Sequence, residues 1–307
     1  MSFTYLLDKL DKAEIRGEPF PHVYIEDFLD GEDFEAVMGA AEITLPAAAE
    51  VNELFARLDA AGYQPIDFPG CTKSRAEYIA WLQAAVKPKD THPACEAKGM
   101  ALRCMNLKSE AAQSLDAFFR SPELQDLLTR KFGITAPVQQ EGGVQKYLNG
   151  YEISPHPDMR QKALTWMLNV NPGANTEDLN YHTHYMTFKP EWDFVRRFWR
   201  DTPDADTCWV PWQWCDTKKR QTVNNSIVVF SPRHDTLHAV RAHYDHLPAQ
   251  RTQFCGNLWY QPKLLKFRPQ FQDFADGSPP ARPRSSFIRS AGIRLKRKPV
   301  AYWTPPR

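Results

Sequence analysis

No Cys-x-x-Cys pair occurs among the six cysteines, Cys71, Cys95, Cys104, Cys208, Cys215 and Cys255. That absence removes a paired-thiolate zinc framework, and a chain of 307 residues buries enough core to fold without disulfides, so free thiols in a reducing compartment are expected. No window reaches the ~18–20 apolar residues of a membrane span. Asp8, Lys9, Asp11, Lys12, Glu14 and Arg16 break up the amino-terminal apolar positions, where a signal peptide needs an uninterrupted apolar core. The expectation is a cytoplasmic protein without a transmembrane segment. Glycine is scarce, 14 residues against 25 prolines and 9 tryptophans, which argues against a long helical array and for a loop-rich fold with large rigid side chains. No internal repeat and no aromatic-interleaved basic groove is present, so no nucleic-acid partner is expected. The oligomeric state is left open, a homodimer included.

The net charge of +1 conceals an asymmetry. Residues 266–307 hold ten Lys/Arg against two Asp/Glu, whereas residues 1–265 hold 28 against 35. This Pro- and Arg-rich end, with Arg282, Arg284, Arg289, Arg294, Lys296, Arg297 and Lys298, reads as a solubilising extension.

Residues 1–136 read mainly as helix, over Tyr5 to Ile15, Glu32 to Ala41, Ala48 to Ala61, Ser74 to Val86 and Glu110 to Phe119. A further helix follows Ser121, which can cap it, with Pro122 suited to the first turn and Gly133 to its end. "PHVYIEDF" alternates with period two and predicts a short strand. From Pro137 to about residue 265 short strands take over: "PVQQEGGVQKYL", "ALTWMLNV", "YHTHYMTF", "SIVVFSP", "TLHAVRAHY" and "TQFCGNLWYQP". Strands at such intervals predict an antiparallel sandwich or barrel. A Trp-rich insertion, residues 191–215 with Trp192, Trp199, Trp209, Trp212 and Trp214, interrupts them and is partly helical in "EWDFVRRFWRD". It reads as packing, as a lid or as a stacking platform.

The chemistry concentrates in the strand-rich part. His156 and Asp158, two residues apart at a strand end, can aim an imidazole and a carboxylate the same way. A second histidine from a distant strand would complete a two-histidine, one-carboxylate set that leaves positions open on Fe(II). His238, between apolar neighbours in "TLHAV", suits that part. Arg251 follows thirteen residues later, where an antiparallel hairpin can return a guanidinium to the site and its fork can hold a carboxylate. Arg241, three residues on, is too close to cross a hairpin.

This set resembles the Fe(II)/2-oxoglutarate-dependent oxygenases. "PFPHVYIEDFLDGEDFEAV" and "QKYLNGYEISPHPD" are similar to the prolyl-4-hydroxylase-like branch. The resemblance covers Pro19 to Phe34 and about Val144 to Tyr260. It implies an α+β fold with a double-stranded β-helix, a jelly-roll or cupin-like barrel supported by amino-terminal helices. It implies iron ligands His156, Asp158 and His238, with Arg251 on the 2-oxoglutarate C5 carboxylate and Tyr147 hydrogen-bonded to the same co-substrate. The implied reaction consumes 2-oxoglutarate and O2 and hydroxylates an unactivated C–H of a polar small molecule, amino acid, peptide or sugar derivative. Asp158 argues against halogenation, where a small residue makes room for chloride. "TEDLNYHTHYMTF" departs from the branch's "GGEL"-like segment beside the pocket.

Alternatives stay open. The same iron site supports desaturation or epimerisation, a degenerate cupin-like barrel would be a binding module, and a zinc hydrolase would use the three ligands but leave Arg251 without a role. His182 and His184 share a strand face and rival His238; otherwise they contact substrate, lie beside the ligands or are exposed. Trp212 is a candidate substrate contact from the insertion, and Asn225 in "VNNSIVV" lies at the pocket mouth or in a turn. His234, His243 and His246 read as solvated.

Overall fold

The computed structural model describes residues 2–66, 74–84, 94–95, 98–260 and 267–279. The basic extension from residue 280 and the end of the Ser74 to Val86 helix lie outside the described residues. Six helices precede the main strands: α1 (Tyr5–Lys12), α2 (Gly31–Met38), α3 (Val51–Ala60), α4 (Arg75–Gln83), α5 (Glu110–Phe119) and α6 (Pro122–Lys131). Their ends follow local chemistry. The Ser121 hydroxyl accepts from the Leu124 amide at 3.2 Å, Pro122 fills the first turn, and Gly133 sits at φ 66° beyond the end. Ser74 and Glu77 form a capping box on α4.

Among these helices run β1 (Val23–Ile25), β2 (Gln64–Pro65) and β3 (Ala101–Cys104), and after them β4 (Val138–Tyr147), β5 (Glu152–His156), β6 (Lys162–Asn169), β7 (Thr183–Phe188), α7 (Asp193–Asp201), β8 (Cys215–Gln221), β9 (Ile227–Phe230), β10 (His238–Arg241) and β11 (Arg251–Tyr260). They form two antiparallel sheets, ordered β1-β9-β6-β11-β4-β3-β2 and β5-β10-β7-β8. The expected barrel is not closed, because among the described strands no ladder joins one sheet to the other. Side chains bridge them instead.

The seven-stranded sheet has two buried faces of opposite character. Leu164, Trp166 and Leu168 of β6, Val144 of β4 and Phe254 and Leu258 of β11 pack with helix residues such as Leu54, Leu115 and Phe119 in the main core. The intervening residues, Thr165, Met167, Gln145, Tyr147, Arg251 and Gln253, point to the other side, as the two-residue period requires. There Met167, Val228 and Phe230 meet Tyr185 of the small sheet. The polar face of the large sheet and the inner face of the small one therefore enclose one space.

The insertion lies on the small sheet's outer face. Val195, Phe198 and Trp199 of α7 and Trp214 pack with Met186, Phe188 and Ala239, and Trp192 stacks on Trp214 at 3.7 Å between centroids. Packing, not a lid, is thus the role of these three tryptophans. Strand β8 was hidden in the sequence because it is a polar edge strand, and β3 because four residues show little period. Among the described residues no helix is long and apolar enough to cross a membrane.

One close approach depends on a missing side chain: the Trp166 ring lies over its register partner Gly256, where an added Cβ would come within 2.0 Å of it. Gly256→Ala is expected to cost about 1–3 kcal/mol by overpacking. Thermal unfolding checks this, and an unchanged Tm overturns the packing argument.

Candidate metal centre and the adjoining cation

His156 and His238 are direct register partners across the β5–β10 pair, and their ring centroids lie 4.5 Å apart. Each ring is oriented by its own strand: Nδ1 of His156 is 2.8 Å from the Ser154 carbonyl, and Nδ1 of His238 is 3.0 Å from the Thr236 carbonyl. A carbonyl only accepts, so both Nδ1 atoms carry the proton and both Nε2 lone pairs face the enclosed space. Asp158 places Oδ1 4.0 Å from Nε2 of His156 and 3.9 Å from Nε2 of His238. One donor atom from each residue lies within 4.8 Å of the others, and all three residues are buried. Two neutral imidazoles and a carboxylate converging in this way fit a divalent cation.

The protonation states agree. Burial, then the neighbouring His238, pushes His156 down to about 3. Burial also lowers His238, against the pull of Asp158. Burial works to raise the Asp158 carboxyl, but the Lys162 ammonium outweighs it and holds the group well below its usual range. Lys162 Nζ reaches Asp158 Oδ1 at 2.7 Å, and the Thr165 hydroxyl donates to Oδ2 at 2.6 Å. Trp209 packs beside the His156 ring, 5.8 Å between centroids. Lys162, Thr165 and Trp209 carry no motif of their own, and the sequence did not single them out as site residues.

At the other end of the space Arg251, 1% exposed, opens β11 opposite Tyr147. Its guanidinium lies 4.1 Å over the Tyr147 ring and Nη2 donates to the Thr183 hydroxyl at 2.9 Å. Nε and Nη1 have no hydrogen-bond partner among the described residues. Its backbone amide donates to the Tyr244 hydroxyl at 2.8 Å, which fixes the strand start. Thr183 faces the same way as Tyr185, the β7 partner of His238, and stands two residues along the strand from it. That separation is about 7 Å. A buried guanidinium with two unmatched nitrogens calls for an anion, and a planar carboxylate suits its fork.

The remaining candidates lie elsewhere. His182 is buried, with Nε2 3.1 Å from the Glu177 carbonyl, and burial and then Arg251 push it to about 4. His184 alternates to the outer face, with Nδ1 2.9 Å from the Thr217 hydroxyl and its ring edge-on to Trp212. Trp212 donates to Glu152 at 2.8 Å beneath the Arg241 guanidinium, on that same outer face. Asn225, at φ 53°, accepts from the Leu29 amide and donates to the Leu29 carbonyl, so it ties the chain after β1 rather than lining the space. His246 is buried between the Tyr78 and Tyr244 rings, not solvated.

No family model and no curated protein sequence matches the chain. Among solved structures it is similar to a Pseudomonas putida prolyl-4-hydroxylase, at 12% identity over 84% of this chain and 98% of that one, with a TM-score of 0.42. A prolyl hydroxylase from Trichoplax adhaerens, in complex with a hypoxia inducible factor peptide fragment, gives 12%, 83% and 86%, with 0.39. HygX from Streptomyces hygroscopicus, with nickel and 2-oxoglutarate bound, gives 8%, 69% and 88%, with 0.31.

The histidines predict a pH response. His156 sits at about 3 and His182, His184 and His246 at about 4 in the folded chain, against an ordinary 6.5. Between about pH 6.5 and 4 the unfolded chain therefore binds more protons, so stability falls as pH drops through that window. The metal-free protein should show a Tm that declines steadily from pH 7 to 4.5, less steeply in His156→Gln. A flat profile contradicts the burial of these rings.

Proposed function

We propose that the protein is an Fe(II)- and 2-oxoglutarate-dependent oxygenase that hydroxylates a C–H bond of a polar small molecule, amino acid, peptide or sugar derivative. In this reading the two facing sheets are a double-stranded β-helix. His156, Asp158 and His238 hold the metal, and the metal with 2-oxoglutarate and O2 supplies the oxidation. The observation that carries the proposal is Arg251. A metal centre alone explains the three ligands, but only an anion beside it explains a buried guanidinium with two unmatched nitrogens. A five-carbon dicarboxylate chelating at one end reaches across the two strand positions between His238's partner Tyr185 and Thr183. A zinc hydrolase would leave that cation without a ligand.

The other residues have definable parts. The Ser154 and Thr236 carbonyls fix the histidine tautomers, and Thr165 and Lys162 orient Asp158. Tyr147 supports the Arg251 guanidinium from below, and Thr183 fixes one of its nitrogens. Met167, Tyr185 and Phe230 keep water from the wall between the two ends. Positioning and exclusion are the protein's contribution.

Anaerobic titration tests this reading. Fe(II) with 2-oxoglutarate should give a weak visible charge-transfer band, lost in His238→Ala. Arg251→Met should weaken 2-oxoglutarate binding at least about 30-fold, as loss of one partner of a buried charge pair costs roughly 2–5 kcal/mol. Folded protein without the band, or an Arg251→Met variant with unchanged affinity, overturns the proposal.

A further inference from the structure

A second polar constellation occupies the inner face of the large sheet at the Asp158 end, and it begins with an irregularity. The β6–β11 register slips between Leu258 and Trp259, so Leu164 opposes Leu258 while Lys162 opposes Trp259. The slip is a β-bulge at Ala163, and it changes side-chain parity: without it Lys162 would share the helix-facing side with Leu164. With it, Lys162 turns to the same side as Thr165. Nζ lies 2.7 Å from Asp158 Oδ1 and 5.5 Å from the centre of the Trp259 ring.

Trp259 continues the row by donating from Nε1 to Glu141 Oε2 at 2.9 Å. The other Glu141 oxygen pairs with Arg103 on β3, whose Nη2 donates to Gln145 at 3.1 Å. Arg103 Nε has no partner among the described residues. The row thus crosses four neighbouring strands, β6, β11, β4 and β3. Unlike Arg251, its ions keep some access to solvent: the side chains of Glu141, Lys162 and Arg103 are 14%, 18% and 19% exposed.

We propose that this row is the substrate subsite and that it takes a molecule bearing a carboxylate, met by Lys162 beside the Trp259 indole, with Arg103 adding positive charge at the far end of the row. The inference rests on the metal-centre reading above. Within the row Glu141 is matched by Arg103 and Asp158 by Lys162. A divalent ion against Asp158 Oδ1 would share the oxygen that Lys162 now engages and so weaken the carboxylate's hold on the ammonium beside the centre. Across a site holding that dication and a dianionic co-substrate, Arg251, Lys162 and Arg103 exceed Asp158 and Glu141 by one positive charge. A monoanionic substrate restores neutrality in a space where an unmatched charge is costly. The flat indole beside Lys162 accommodates an apolar or ring portion of the same molecule.

The test uses redox-inert Ni(II)-loaded protein saturated with 2-oxoglutarate, titrated calorimetrically with N-acetyl amino acids and with the matching N-acetyl amino acid amides. These probes are close in size and exchange a carboxylate for a neutral carboxamide. Carboxylates should bind at least about tenfold more tightly than their amides, the scale of one charge-assisted hydrogen bond. Lys162→Gln should erase that preference. Arg103→Gln, which leaves Asp158 untouched, should reduce it. Equal or tighter binding of the amides, no binding by any carboxylate, or a preference that survives in both variants overturns the subsite. Failure of the wild-type protein to take up Ni(II) or 2-oxoglutarate would instead sink the metal-centre reading, so the two outcomes are distinguishable.

Discussion

The pairing of β5 with β10 is the constraint on which the rest depends. It sets His156 opposite His238 and turns two imidazole lone pairs into a closed space between sheets. That arrangement persists because neighbouring atoms over-determine it. Each Nδ1 is tied to a carbonyl two residues back in its own chain, so neither ring can rotate to satisfy its lone pair elsewhere. The end of β5 and the segment after it are braced from outside as well: the Val210 amide donates to the Pro155 carbonyl, and Arg160 donates to the carbonyls of Trp199 and Ala205. The Trp-rich insertion thereby supports the ligand-bearing segment although most of its rings never reach the enclosed space.

The helices serve the site indirectly. By covering one face of the large sheet with apolar side chains they leave the other free to be polar without costing the sheet its core. Lys146 is the exception that shows the division. It lies on the helix side, wholly buried, with Nζ donating to the Ile43 carbonyl at 2.7 Å and the Thr252 hydroxyl at 2.8 Å. Burial lowers it to about 7. Its contacts join the α2–α3 connection to β4 and β11, so a polar group on the apolar face acts as a tie between layers.

Much of this could be read in the chain before folding. His156, Asp158, His238 and Arg251 were legible because residue type and spacing both speak for a ligand set, and the structure brings the first three together with Arg251 facing the same space. Helices with strong punctuation, such as α6, were legible for the same reason. His184 lies on the outer face of the small sheet because the β7–β10 register decides which side of β7 looks inward, which the sequence alone leaves undetermined, and Trp212 meets it there from the insertion. Asn225 resembles a pocket residue until its partner Leu29, nearly two hundred positions away, is known. Lys162 was unreadable, since strict alternation from Leu164 sends it to the wrong side of the sheet and only the bulge reverses that.

That bulge also explains how a carboxylate survives at Asp158. Fully enclosed, the anion is stable only with a cation in reach, and the two neutral imidazoles supply none. Lys162 provides it at 2.7 Å while Thr165 satisfies the second oxygen. Had alternation continued unbroken, the ammonium would lie among Leu164, Leu168 and the helices, and Asp158 would be left uncompensated. One extra residue in β6 therefore does two things at once: it keeps the ligand ionised and sets a cation at the border between the sealed Arg251 end and the more open strip of Trp259, Glu141 and Arg103.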